Sequence, residues 1–293
     1  MKYLDATHIR ALAKSLDVRP SKGRGQNFLF DANTVRRIVG LAEVGPADTV
    51  LEIGPGLGSL TAGLLHSGAR VVAVEIEPAL AEQLPVTMGE LAPDAVGNLT
   101  VLQQDALRMG PDDLAPSAGT TDAPLPTVIV SNLPYNISVP VILHVLATFP
   151  MIARGLVMVQ SEVADRLAAP PGSKVYGVPS AKLAWYASAS RVGAVPATVF
   201  WPAPNVESGL VRFVRHDPPP ADRRSVFALI DAAFSQRRKM LRSVLTSKYG
   251  PAARTALDLA GISPEARGET LSIDDFARLA NAMGNLEEPR PSS

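Results

Sequence analysis

Three glycines stand at alternate positions in Glu52-Ile-Gly-Pro-Gly-Leu-Gly-Ser-Leu-Thr61, between a short apolar run that ends at Ile53 and a second run with helical spacing. A glycine loop between a strand and a helix lets the backbone approach a ligand closely. The dinucleotide fingerprint needs G-x-G-x-x-G, whereas Gly54, Gly56 and Gly58 give G-x-G-x-G with Ser59 at the third glycine position, which argues against a pyrophosphate. A nucleoside ligand without phosphates suits the same loop. Glu75, 21 residues beyond Gly54 at the end of the next strand, can accept both ribose hydroxyl protons, and Asp105 at the end of a third can bond an adenine amino group. Gly54, Glu75 and Asp105 therefore describe an adenosine-bearing cofactor lying across the carboxyl ends of three neighbouring strands. S-adenosylmethionine fits best.

A second group, Ser131-Asn-Leu-Pro-Tyr135, follows a fourth strand. Pro134 has no N–H and biases Leu133 toward an extended backbone, which fixes the direction of a carbonyl. Methylating an exocyclic adenine amine requires freeing a nitrogen lone pair that is delocalised into the ring. Hydrogen-bond acceptors do this without a strong base, and the Asn132 side-chain oxygen and Leu133 carbonyl have the right chemistry. Tyr135 offers a stacking face for the target base.

Both groups need a scaffold that brings strand ends together. Apolar or β-branched runs predict strands at Thr49–Ile53, Arg70–Glu75, Leu99–Gln104, Thr127–Ser131 and Leu156–Gln160, with crossover helices at Ser59–His66 and Ile137–Phe149. Arg191–Val195 and Gly209–Val214 read as an edge hairpin around the turn-rich Trp201–Asn205. The fold class is α/β, a Rossmann-like sheet of about seven strands. After the Pro-rich Asp217–Asp222, Ser225–Leu245, Ala252–Leu259 and Ile273–Met283 show helical spacing with no strand between them. The expected organisation is a catalytic domain over 1–216 with a basic N-terminal segment 1–37, a linker over 217–222, an all-helical domain over 223–284, and a polar tail over 285–293. Gly110–Pro126 is a long loop insertion, and Tyr176, Trp185 and Tyr186 are expected to pack under the sheet.

The chain has 293 residues, 46% hydrophobic, enough for about two domains with real cores. With no cysteine, disulfide frameworks, thiolate metal sites and cysteine nucleophiles are excluded, and the four histidines share no ligand spacing, so no metal is expected. No apolar stretch predicts a signal peptide or membrane span, which makes the cytoplasm the expected compartment and a monomer the default. Equal numbers of basic and acidic residues, 28 each, hide an asymmetry: Arg223–Arg254 carries eight basic residues against Asp231, and Arg10–Arg37 seven against two acidic. Arg238 and Arg242, four apart with Lys239 beside them, predict a phosphate-binding stripe on one helix face, with Gly23-Arg24-Gly25 as a second clamp.

These motifs resemble the ribosomal small-subunit RNA adenine N6,N6-dimethyltransferases, the KsgA or RsmA family, from about Gly25 to Ala280. The resemblance rests on Gly25-Gln-Asn-Phe-Leu29, the glycine loop, Glu75, Asp105, Asn132-Leu-Pro-Tyr135 and Pro202–Ser208. It implies cofactor contacts from Asn27 and Leu29, with Gln26, Gly54, Gly56, Glu75, Ile76, Asp105, Ala106 and Asn132 completing the cofactor site. It implies catalytic roles for Asn132, Leu133, Pro134 and Tyr135, with Phe200 a second stacking face for the base. Phe234-Ser-Gln-Arg-Arg-Lys-Met-Leu-Arg242 is similar to the family's basic run, which sets Arg24, Arg237, Arg238, Lys239 and Arg242 as RNA-binding. The implied partner is the small (30S) subunit and its 16S rRNA. Gln104 in place of glycine, the bulky Trp201 and the 110–126 insertion depart from the family pattern. Large-subunit (23S) RNA or DNA adenine methylation, and a mainly non-catalytic assembly role, are the competing readings.

Overall fold

Aspartates open the first helices of the computed structural model, which describes residues 1–18, 26–114, 124–237 and 239–287. The Asp5 carboxylate accepts the Thr7 and His8 amides to start α1 (Ala6–Ser15). After the two-residue strand β1 (Phe28–Leu29), Asp31 caps α2 (Ala32–Ala42), whose buried stripe is Val35, Ile38 and Ala42.

A sheet follows. β2 (Thr49–Ile53) is buried at every position, as a central parallel strand covered on both faces must be. It leads through α3 (Ser59–His66) to β3 (Arg70–Glu75), then through α4 (Pro78–Leu91) to β4 (Leu99–Gln103), a partly exposed edge strand. The chain then crosses back to β5 (Val128–Asn132) on the other side of β2, continuing through α5 (Ser138–Thr148) to β6 (Arg154–Gln160). Next come α6 (Ser161–Leu167), α7 (Val178–Ala184), β7 (Ala187–Val195), β8 (Phe200–Trp201) and β9 (Ser208–Arg215). The seven-stranded order is β4-β3-β2-β5-β6-β9-β7; β4, β3, β2, β5 and β6 run parallel, and β9 pairs antiparallel with β6. β1 and β8 form a separate antiparallel pair. Strand order reverses between β2 and β5, and an open α/β sheet binds ligands at the carboxyl ends beside such a reversal.

The helical region holds α8 (Arg223–Ser235), α9 (Leu241–Tyr249), α10 (Ala252–Leu259) and α11 (Ile273–Glu287). Asp222 caps α8 through the Ser225 amide. The single helix expected over Ser225–Leu245 is two helices. Gln236 leaves helical geometry at φ −135°, ψ 66°, Met240 is extended, and the Leu241 and Arg242 amides donate to Ala266 and Pro264 carbonyls instead of continuing α8. Ser235–Lys239 offers no apolar side chain with which to bury another helical turn.

The chain divides into two compact units, Met1–Ala164 with Ser190–Arg215, and Asp165–Ala189 with His216–Ser293. The division within 1–216 thus differs from the sequence expectation: Asp165–Ala189 belongs with the helices. Aromatic packing explains this, because Trp185 and Tyr186 meet Phe227 edge-on and Tyr176 lies 5.9 Å from Phe234. These aromatics are core residues of the helical unit. Of the expected insertion, residues 115–123 lie outside the described residues; Pro111–Leu114 is a 3-10 turn with Leu114 buried.

Candidate active site

The glycine loop departs from ordinary backbone space at three points. Gly54, Gly56 and Gly58 all have positive φ, at 68°, 58° and 93°, which side chains with a Cβ disfavour. A Cβ at Gly56 would lie 3.0 Å from the Phe28 ring, so a larger residue there would press on that ring as well. The loop opens onto a cavity of about 530 Å³ at the carboxyl ends of the central strands. All ten residues expected to hold a cofactor line it: Gln26, Asn27, Leu29, Gly54, Gly56, Glu75, Ile76, Asp105, Ala106 and Asn132. Leu133, Pro134 and Tyr135 line it too.

Phe200 does not. It is 3% exposed and packs in the core with Leu29, its β1 partner, because its place in β8 directs it inward.

Glu75 is fixed by two backbone donors, Gly56 N to Oε2 at 3.1 Å and Glu77 N to Oε1 at 3.0 Å. A carboxylate has lone pairs beyond these two bonds for further donors. Burial pushes its pKa up, against the pull of the backbone hydrogen bonds. Asp105 accepts the Leu107 amide at 3.0 Å and lies 3.5 Å from the Arg108 guanidinium. Ile76, 63% exposed, offers an apolar surface at the cavity.

Asn132 ends β5, and its Nδ2 donates to the Asn27 carbonyl at 3.4 Å, leaving Oδ1 available as an acceptor. The Leu133 amide donates to Met158 O at 3.1 Å, which fixes the peptide ahead of Pro134. The Tyr135 hydroxyl meets the Ser208 hydroxyl at 2.7 Å, and burial raises the phenol above its usual range, so the ring stays neutral.

One cavity residue that motif reading left without a role is Glu52. It is 1% exposed, lines the cavity, and its Oε2 has no hydrogen-bond partner. Burial chiefly drives its pKa up to about 8; the Thr61 hydroxyl opposes this without closing a hydrogen bond of normal geometry, and the Glu75 charge adds to the rise. The sequence signal was its place within β2, flanked by strands on both sides. Glu75, Glu77 and Asp105 also stand in the wall, and with these carboxyl groups the cavity favours a cationic ligand.

The basic residues of the helical unit are arranged differently from the expectation. Arg24 and Arg238 lie outside the described residues. Arg237 is turned to internal use, its guanidinium bonding Glu269 Oε2 at 2.8 Å and the Lys174 carbonyl at 2.5 Å. Lys239 lies in the turn between helices, and Arg242 in the first turn of α9, 4.0 Å from Glu265. The break after α8 removes the single helix on which a continuous Arg238–Arg242 face depended.

Residues 20–284 match the family described as ribosomal RNA adenine dimethylase. The chain belongs to this family. The matched span contains every cavity-lining residue and nearly all of the helical unit. The ribosomal RNA small subunit methyltransferase A of Cutibacterium acnes is 56% identical over 289 residues, covering 96% of this chain and 94% of that protein. The protein of the same name from Streptomyces coelicolor is 54% identical over 282 residues, with 94% and 96% covered. Among solved structures, a dimethyladenosine transferase from Plasmodium falciparum aligns with a TM-score of 0.69 at 22% identity, covering 88% of this chain and 98% of the other, a likeness of fold. The 23S rRNA methyltransferase ErmE aligns with a TM-score of 0.63 at 26% identity, covering 88% and 100%.

Proposed function

We propose that this dimethylase transfers methyl groups from S-adenosylmethionine to N6 of two adjacent adenosines in 16S rRNA, giving N6,N6-dimethyladenosine during ribosome biogenesis. The observation that carries the reading is the Asn132 amide, held by the Asn27 carbonyl so that Oδ1 is left as an acceptor in the wall of a cavity that also holds the glycine loop and Glu75. When bound, the cofactor supplies an electrophilic methyl on a sulfonium. The residues present suit such a cation, since Glu52 Oε2 is a buried acceptor without a partner, while Glu75 has lone pairs for ribose hydroxyls and Asp105 an oxygen for an adenine amino group.

Asn132 Oδ1 and the Leu133 carbonyl accept hydrogen bonds from the target amine, from both of its hydrogens in the first transfer and from the one that remains in the second, drawing its lone pair out of conjugation and fixing its direction. The proton displaced by each methyl passes to solvent. Tyr135 stacks on the base, its ring held by Ser208. Orientation of this kind can lower a barrier by up to ~7–11 kcal/mol. The base must leave its helix to enter, as enzymes acting on a base inside a stack require.

The small-subunit assignment rests on relatives of 52–56% identity that carry the small-subunit name. A large-subunit target is the weaker reading, because the likeness to ErmE is much more distant. Lys239 and Arg242 supply phosphate contacts to the RNA, and Arg237 holds the turn that presents them. All cavity residues come from one compact unit of one chain, so a monomer suffices, working in the cytoplasm where its ribosomal partner is made. Among the described residues no helix is long and apolar enough to cross a membrane. The test offers purified chain and labelled S-adenosylmethionine to undermethylated small subunits, large subunits and DNA in parallel. Label confined to small subunits is expected; label in large subunits or DNA would overturn the assignment.

A further inference from the structure

The segment that closes one side of the cavity is tied to a loop on the opposite side of the sequence. β1 and β8 pair Phe28 with Trp201 and Leu29 with Phe200, and the Phe30 amide extends the ladder to Val199 O at 3.0 Å. The Phe28 and Trp201 rings stack at 6.4 Å with planes 21° apart. On the cavity side, Phe28 crowds Gly56, where an added Cβ would lie 3.0 Å from the ring. Phe28 thus sits between the glycine loop and Trp201, while Trp201 packs on an apolar cluster that includes Leu4, Ile9 and Leu57.

The chain beyond Trp201 is largely exposed through Pro202–Glu207 and is caught again at Ser208, whose hydroxyl holds Tyr135. The loop is therefore pinned at both ends to walls of the same cavity. One pin is the Phe28–Trp201 stack against the glycine loop; the other is Ser208 against the acceptor motif. The Asn27 carbonyl, one residue before Phe28, also holds the Asn132 amide. A ligand seated against Gln26–Leu29 therefore touches a segment joined to Trp201 and, through it, to the loop.

We propose that Phe28 and Trp201 are positioning residues that couple cofactor occupancy to the 202–207 loop, so that cofactor and RNA substrate strengthen each other's binding. This inference rests on the methyltransferase reading for its RNA arm only. Coupling between two sites is reciprocal, so it can be read from either ligand. An aromatic pair of this kind contributes an amount that corresponds to roughly a twofold to tenfold change in affinity.

Two measurements test it. In a Trp185→Phe background, Trp201 is the only tryptophan, and its emission should shift on adding S-adenosylhomocysteine; Phe28→Ala should remove the shift even at S-adenosylhomocysteine concentrations that calorimetry shows to saturate the variant. An unchanged Trp201 emission on binding would overturn the coupling, whatever the RNA substrate. In the second, the affinity for S-adenosylhomocysteine is measured with and without small subunits in the wild type, Trp201→Ala and Trp201→Phe. The wild type should bind several-fold tighter with subunits present, Trp201→Ala should show no enhancement, and Trp201→Phe, which keeps a ring in the stack and guards against a folding defect, should regain it. Equal enhancement in Trp201→Ala and the wild type, or none in the wild type, would refute the proposal. Failure to methylate small subunits with the emission shift intact would instead remove the substrate assignment and leave the Phe28–Trp201 link standing.

Discussion

Replacing Glu52 by Gln should change how stability depends on pH, and the size of the change follows from burial. Glu52 is 1% exposed and its pKa is pushed up to about 8 from an ordinary 4.5. Below pH 4.5 both folded and unfolded chains hold the proton, and the group contributes nothing to the pH dependence. Above that, the unfolded chain releases its proton first while the folded one retains it. Stability then falls with rising pH until the folded group also ionises near pH 8, and is level beyond. Each unit of pH in that window costs about 1.4 kcal/mol, so by pH 7 the penalty reaches roughly 3 kcal/mol. Gln cannot ionise and escapes it. Urea unfolding of the ligand-free wild type and Glu52→Gln, followed by circular dichroism from pH 4.5 to 8, should show the variant gaining about 3 kcal/mol relative to the wild type by pH 7. A difference that stays constant across the range would refute the claim that this carboxyl is buried and protonated in the empty cavity. The same variant should bind S-adenosylmethionine more weakly at pH 8, where the wild-type carboxyl can offer a charge to the sulfonium.

Other expectations follow from single contacts. Asn132→Ala removes an amine acceptor and should lower kcat by on the order of 100-fold or more, with S-adenosylhomocysteine and small-subunit affinity kept within several-fold; loss of subunit binding would contradict the role given to Asn132. Gly56→Ala must place a Cβ 3.0 Å from Phe28 at a φ of 58°, and should destabilise the protein by about 1–3 kcal/mol in urea unfolding while weakening cofactor binding; wild-type values for both would show the loop to be less constrained than its geometry. Lys239→Ala with Arg242→Ala should reduce the slope of log affinity for rRNA against log salt by roughly 1.5–2, whereas Arg237→Ala should lower the unfolding temperature with little change in slope. An unchanged slope in the double variant would discard the phosphate contacts.

The glycine loop, Glu75 and Asp105 could be read from sequence because local rules cover them. Alternating glycines after a strand demand a special turn, and parallel strands bring their carboxyl ends to one edge, so residues at strand ends meet even when far apart in the chain. Asn132 was readable for the same reason. Glu52 escaped notice as a titrating group because its burial depends on β3 and β5 flanking β2, a property of sheet order. The pairing of Phe28 with Trp201 joins two strands of two residues each, too short for any periodic signal. The burial of Phe200 has a related cause: which way a residue faces in so short a strand depends on its partner, and Phe200 packs with Leu29 in the core. The break after α8 depends on Ala266 and Pro264 carbonyls and on the Glu269 carboxylate, all supplied by a later stretch of chain. Helical spacing in Ser225–Leu245 carries no trace of those partners. Likewise Asp165–Ala189 joined the helical unit through aromatic contacts that no boundary signal in the sequence announces.

The central claim is the reaction and its target, and the most direct measurement is the nucleoside composition of undermethylated small subunits after incubation with the purified chain and labelled S-adenosylmethionine. The account predicts two methyls on each of two adjacent adenosines, recovered by mass spectrometry as N6,N6-dimethyladenosine in 16S rRNA, and none with Asn132→Ala. Bound cofactor with no methyl transferred to the subunit, or methyls recovered on any atom other than adenine N6, would contradict it.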